Sequence, residues 1–138
     1  MRAKGIKSSK NIDPGDIGRF RVLTDQAPVG IYETDIHGDC IYVNKCWCKM
    51  AGLTPQQALG KGWIEGIHPD DRDKVYNEWY NMVESNGEWG LEYRFVNRSG
   101  EVTWAFGTAS IIKDDLGMVA GYLGVNTDIS PQSGRSMR

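Results

Sequence analysis

The stretch PVGIYETDIHGDCIYVN, residues 28–44, decides how the rest of the chain is read. Ile31 to Thr34 and Cys40 to Val43 are short runs rich in β-branched and aromatic residues, and Asp35-Ile36-His37-Gly38-Asp39 between them carries hairpin-turn chemistry. The pattern predicts two antiparallel strands. Asn44 follows the second strand directly and precedes Lys45 to Ala51, a helix-compatible segment, so its side-chain amide is placed to cap that helix.

Upstream of the hairpin, Ile17, Phe20 and Leu23 sit three apart between Asp16 and Gln26, the spacing of one helical stripe. A short amphipathic helix is expected over 16–27, after a polar, flexible leader over 1–15 that ends in the breaker Asp13-Pro14-Gly15. Downstream, Lys45 to Ala51 places Trp47 and Met50 on one face and is stopped by Gly52. Thr54-Pro55-Gln56-Gln57 reads as a capping box opening a one-turn helix that ends at Gly60. Pro69-Asp70-Asp71 opens the longest helix, its carboxylates complementing the helix dipole. Val75, Trp79, Met82 and Val83 recur at i, i+4, i+7 and i+8 along it, and Asn86-Gly87 terminates it.

The remainder alternates. Trp89, Leu91, Tyr93 and Phe95 share one side of a strand, and Val102, Trp104, Phe106 and Thr108 alternate with Thr103, Ala105, Gly107 and Ala109 in the next. Arg98-Ser99-Gly100 and Asp114-Asp115-Leu116-Gly117 are turns, the second leading into Met118 to Thr127. Two strands, several helices and three hairpin-linked strands predict an α+β domain built on a single antiparallel sheet.

With 138 residues, 40% hydrophobic and 25% charged, the chain fits one globular domain able to bury a core without metal or disulfide staples. A formal net charge of -2 supplies no broad basic field, so neither nucleic acid nor a membrane surface is an expected partner. Met1 to Lys10 is basic but lacks an apolar run, and no segment approaches a spanning helix. Cys40, Cys46 and Cys48 are bunched rather than spread as a disulfide framework would be, which favours reduced thiols in the cytoplasm.

Several of these segments together resemble the PAS sensory domain, in its PAS/PAC form of the PAS fold-3 type. The resemblance rests on PVGI at Pro28 to Ile31, YVN at Tyr42 to Asn44, IHPDDR at Ile67 to Arg72, EYRFVNRSGEVTW at Glu92 to Trp104, and DIS at Asp128 to Ser130, in that order. It implies a five-stranded antiparallel sheet, with the first two strands beside the last three and helices packed over one face. It also implies a core over 28–130, a tail or linker to an output domain over 131–138, and a signal leaving through Asp128 and Ile129.

Candidate chemistry is sparse. Cys46 and Cys48 would point about 200° apart on a helix, so no metal site is expected from them. His68 beside Asp70 and Asp71 reads as a helix start rather than an acid–base cluster. No nucleophile elbow, Walker, zincin or dinucleotide motif occurs, and the domain is read as non-catalytic. The aromatics are more informative. Trp47, Trp63, Trp79, Tyr93, Trp104, Phe106 and Tyr122, with Met50 and Met82, are gathered by the proposed fold around one interior, either as plain core or as the lining of a mostly apolar ligand cavity. Within the family, the light-sensing subclass reacts its flavin with a cysteine in a motif like NCRFLQ, and the haem subclass offers a histidine from the long helix. Neither occurs here, so haem and covalent flavin are disfavoured and the cofactor stays open. The resemblance thus implies a cytoplasmic sensory and signal-relay module that binds a small ligand or partner and feeds a histidine kinase, cyclase or regulator; the apolar stripe of Ile17, Phe20 and Leu23 adds the expectation of a homodimer, the alternative being that this helix packs on its own sheet. The alternative is a ligand-free dimerisation module.

Overall fold

The hairpin predicted at the outset is formed by β1 (Gly30–Thr34) and β2 (Cys40–Val43). Its turn is stapled by one carboxylate: Asp35 Oδ1 accepts from the amides of His37 at 2.9 Å and Asp39 at 3.0 Å. Gly38 takes φ +86°, a conformation that a side chain would strain, and its carbonyl faces the interior, where it receives the Trp79 indole N–H at 2.9 Å. The computed structural model describes residues 14–130.

Around the hairpin lie α1 (Pro14–Asp25), α2 (Lys45–Ala51), α3 (Pro55–Ala58), short 3-10 turns at Gly62–Gly66 and Pro69–Asp71, α4 (Arg72–Ser85), and the strands β3 (Trp89–Val96), β4 (Val102–Lys113) and β5 (Val119–Asp128). The sheet runs β2-β1-β5-β4-β3, every neighbour pair antiparallel. α2 packs against β1 and β3 and α4 against β3, so the last strand of the chain lies at the centre of the sheet, beneath the helices.

Local chemistry explains the helix ends. Asn44 Oδ1 accepts from the Trp47 amide at 3.0 Å and caps α2, and Gly52 closes that helix with φ +70°. Thr54 and Gln57 form the reciprocal capping box of α3. Asn86, left-handed at φ 55°, ends α4. The carboxylates at the start of α4 do more than complement a dipole. Asp71 takes three hydrogen bonds from Arg94 of β3, from its amide at 2.9 Å and its guanidinium at 3.0 and 2.7 Å, which staples the helix start to the sheet. Those bonds hold the Asp71 carboxyl below its ordinary pKa.

Two expectations need correction. Pro14 and Gly15, read as part of a breaker, begin α1, because proline fits the first turn of a helix; the rest of the expected leader and the 131–138 tail lie outside the described residues. Trp104 and Phe106 do not face the interior: they stand on the opposite side of the sheet, 39% and 40% exposed, while Ala105 is 0% exposed among the helices. Alternation in β4 correctly separates two faces but carries no label for which is inside. Space decides it. A Cβ on Gly107, on the inward set, would come within 2.7 Å of the Tyr93 hydroxyl and 2.8 Å of the Asn126 amide nitrogen, so only small residues of β4 fit beneath β3 and β5.

Candidate functional site

Where the helices stand off the sheet, the core leaves a cavity of about 30 Å³. That is room for about two water molecules. Seven of its lining residues are aromatic: Tyr32 of β1, Trp47 of α2, Trp63 of the first 3-10 turn, Trp79 of α4, and Trp89, Tyr93 and Phe95 of β3. They meet mostly edge to face. Trp79 stands 5.8 Å from Tyr32 and 5.0 Å from Trp89 between ring centroids, and Trp47 stands 5.7 Å from Phe95. Such contacts add order to the burial term and keep the walls in place.

The polar groups on this wall are few and mostly occupied. The Tyr32 hydroxyl donates to the Thr108 carbonyl at 3.3 Å and the Thr34 hydroxyl to the Asp35 carbonyl at 2.9 Å. Asn126 of β5, 0% exposed, donates through Nδ2 to the Tyr93 hydroxyl at 2.6 Å. Its Oδ1 and the indole nitrogen of Trp89 have no partner, although both are buried. Unmade bonds of this kind are rare in a packed interior and ask for an explanation. No Asp, Glu, Lys, Arg or His lines the cavity. Burial raises the hydroxyl pKa of Tyr32 and Tyr93 and pushes the Cys40 thiol up to about 11, so the whole lining is uncharged at neutral pH. Cys46 and Cys48, half-buried on α2, are also raised by desolvation, and none of the three thiols has the lowered pKa of a reactive cysteine.

Beside Trp63 lies a polar clasp. Lys61 Nζ and the Tyr80 hydroxyl both donate to Asp39 Oδ1, at 2.9 and 2.8 Å, and the Lys61 ammonium rests 4.6 Å from the centre of the Tyr80 ring. The Lys61 hydrogen bond is the main cause that keeps the Asp39 carboxyl below its usual range. The clasp ties the segment carrying Trp63 to the hairpin turn and to α4.

Of the residues expected at a cavity, Trp47, Trp63, Trp79 and Tyr93 line it together. Met50, Met82 and Tyr122 are buried nearby without reaching it. Tyr122 is directed instead at the end of α4, its hydroxyl 3.2 Å from both the Val83 carbonyl and Asn86 Oδ1. Trp104 and Phe106 are on the far face. Trp89 and Phe95 were within reach of sequence reasoning, since they share the parity of Tyr93. Asn126 was not, because a polar residue in a strand reads as solvent-facing. From Asn126 the chain runs two residues to Asp128, whose Oδ1 accepts from the Ser130 amide at 2.8 Å. Ile129 donates to the Trp104 carbonyl at 2.8 Å, and Trp104 donates to Ser130 Oγ at 3.0 Å, so the expected output segment is bonded to the first residues of β4.

Comparison with known proteins gives the same architecture. The family model described as PAS fold matches residues 40–126. An uncharacterized protein of Sinorhizobium fredii, y4lL, is 33% identical over 112 residues, which is 81% of this chain and 14% of that protein. The two-component sensor PprA of Pseudomonas aeruginosa is 25% identical over 117 residues, covering 83% of this chain and 13% of its own length. The crystal structure of a PAS domain from Colwellia psychrerythraea superimposes with a TM-score of 0.65 at 26% identity, covering 83% of this chain and 98% of that one. The chain therefore spans about a seventh of the curated relatives it matches here.

Proposed function

This chain belongs to the PAS-fold family, and from that premise we propose that it senses a small ligand in the aromatic cavity and relays its occupancy through β5 to an output domain. The observation that carries the reading is Asn126: a fully buried amide on the central strand, its Oδ1 unpartnered at a cavity, two residues before Asp128. A ligand that completes this amide favours the packing in which β5 presents it. Only such differential affinity shifts a conformational equilibrium. The movement would reach Asp128 and Ile129, which are bonded to Ser130 and Trp104 at the end of β5. Relatives named as a two-component sensor and a probable diguanylate cyclase support a histidine kinase, cyclase or regulator as the output. Haem and covalent flavin remain disfavoured: α4 contains no histidine, and a cavity of about 30 Å³ is far smaller than either group.

A homodimer is the second part of the proposal. Ile17 and Leu23 of α1 are 42% and 57% exposed, and Val102, Trp104, Phe106 and Leu123 are exposed on the outer face of the sheet. A second copy that covers both patches would place two output segments side by side. The relay is tested by fusing the domain ahead of a histidine kinase and replacing Asn126 with Leu. A changed kinase output is expected; an output identical to the parent fusion, from a variant of unchanged fold, refutes it.

A further inference from the structure

We propose that the cavity selects a small neutral molecule that carries a hydrogen-bond acceptor beside a donor, as a primary amide does. The inference rests on the sensory reading above, which asks only that something bind there, and adds what the occupant must be. Trp89 Nε1 can only donate and Asn126 Oδ1 can only accept, and both are buried without partners. Of the other polar groups, the Trp79 indole is spent on the Gly38 carbonyl, the Tyr32 hydroxyl on Thr108 and the Thr34 hydroxyl on Asp35, while the Tyr93 hydroxyl accepts from Asn126 and keeps its own proton for an acceptor on the guest. A guest offering both an acceptor and a donor relieves both unmade bonds; one offering only an acceptor leaves Asn126 Oδ1 stranded, at the full desolvation cost of a buried acceptor.

Charge is excluded by the same wall. An anion would meet Asn126 Oδ1 with no cation to compensate, and a cation would find no carboxylate, since every lining side chain is uncharged. Size is set by the volume of about 30 Å³: the cavity takes about two waters as it stands, and a guest of formamide or acetamide size once half-buried Trp63 gives way. Trp63 packs on the Tyr80 ring and its segment is tied down by the Lys61–Asp39 contact at 2.9 Å, and both must yield for that.

The test uses the indole N–H resonances of the isotope-labelled full chain, with Trp89 assigned through Trp89→Phe. Acetamide, its anionic isostere acetate, the acceptor-only analogue acetone, and xenon are titrated in turn. Acetamide should shift the Trp89 signal saturably, with the millimolar affinity that so small a ligand can reach; acetone should bind at least about tenfold more weakly, and acetate not at all. Asn126→Leu, of similar volume but without an acceptor, should erase the preference for acetamide over acetone. The parent selectivity series decides the matter even where that variant does not fold. Acetone binding as tightly as acetamide means that Asn126 presents its nitrogen instead, and overturns the inference. Xenon or acetone entering while acetamide leaves Trp89 unmoved overturns it too, with the sensory reading intact. If no probe moves any indole signal, the inference is overturned, and the sensory reading is then decided by the Asn126→Leu kinase fusion.

Discussion

Replacing Asn44 with Ala separates a helix cap from a structural hub. The side chain is 1% exposed and makes four hydrogen bonds. Oδ1 accepts from the amides of Trp47 at 3.0 Å and Ile31 at 2.9 Å, and Nδ2 donates to the carbonyls of Thr24 at 2.6 Å and Val29 at 3.0 Å. One amide thus joins the end of α1, the start of β1 and the first turn of α2. A cap alone is worth about 1 kcal/mol. Four bonds at about 1 kcal/mol each would give roughly 4 kcal/mol. The Thr24 carbonyl keeps a second donor, the Ala27 amide at 3.2 Å, which lowers the expectation for Asn44→Ala to about 3 to 4 kcal/mol. Urea melts followed by tryptophan fluorescence and circular dichroism measure it, provided the slope with denaturant is unchanged. Asn44→Ser, which retains an acceptor for the Trp47 amide but cannot span to Thr24, should recover about 1 kcal/mol of the loss. Hydrogen exchange along α1 should quicken in both variants. A loss of about 1 kcal/mol or less for Asn44→Ala would refute the hub and leave only the cap.

Four further outcomes are expected. Trp79→Ala should cost about 3 to 5 kcal/mol, because the ring packs against Tyr32, Trp89 and Tyr122 and bonds the hairpin turn. Exposed Glu78→Ala should stay within about 0.5 kcal/mol; equal losses would mean that the face of α4 is misassigned. Asp71 has a lowered folded pKa through Arg94, so its contribution is complete above the unfolded carboxylate pKa and is lost as pH falls through the lower folded value. Asp71→Asn should therefore be less stable than the parent at neutral pH and level with it in strong acid, and a constant gap across the range of denaturant melts argues against the ion pair. Sedimentation of the intact chain should show a dimer and that of a chain starting at Asp25 a folded monomer; an intact chain that stays monomeric at high concentration rejects the dimer. The absorbance spectrum of freshly purified protein should lack a Soret band and a flavin band, and either would reverse the reading of the cofactor.

Residues close in sequence carried most of the fold. The hairpin, the Asn44 cap, the Thr54–Gln57 box and the Asn86 stop are each made by partners within a few positions, where residue type and spacing are enough. Periodicity likewise placed Val75, Trp79 and Met82 on the buried side of α4, and three hairpin-linked strands left little choice but an antiparallel sheet. What tertiary structure alone decided was orientation and company. Alternation in β4 is the same whether Trp104 or Ala105 faces in, and the choice was made by Tyr93 and Asn126, which occupy the space above Gly107. Asp71 reads as a dipole partner until Arg94, 23 residues away, is folded beside it. Asn126 reads as a wet strand residue until β5 is inserted at the centre of the sheet, where its amide loses water and gains only one partner. Local chemistry is a property of neighbours along the chain, whereas an unmet bond in a cavity depends on everything that failed to reach it.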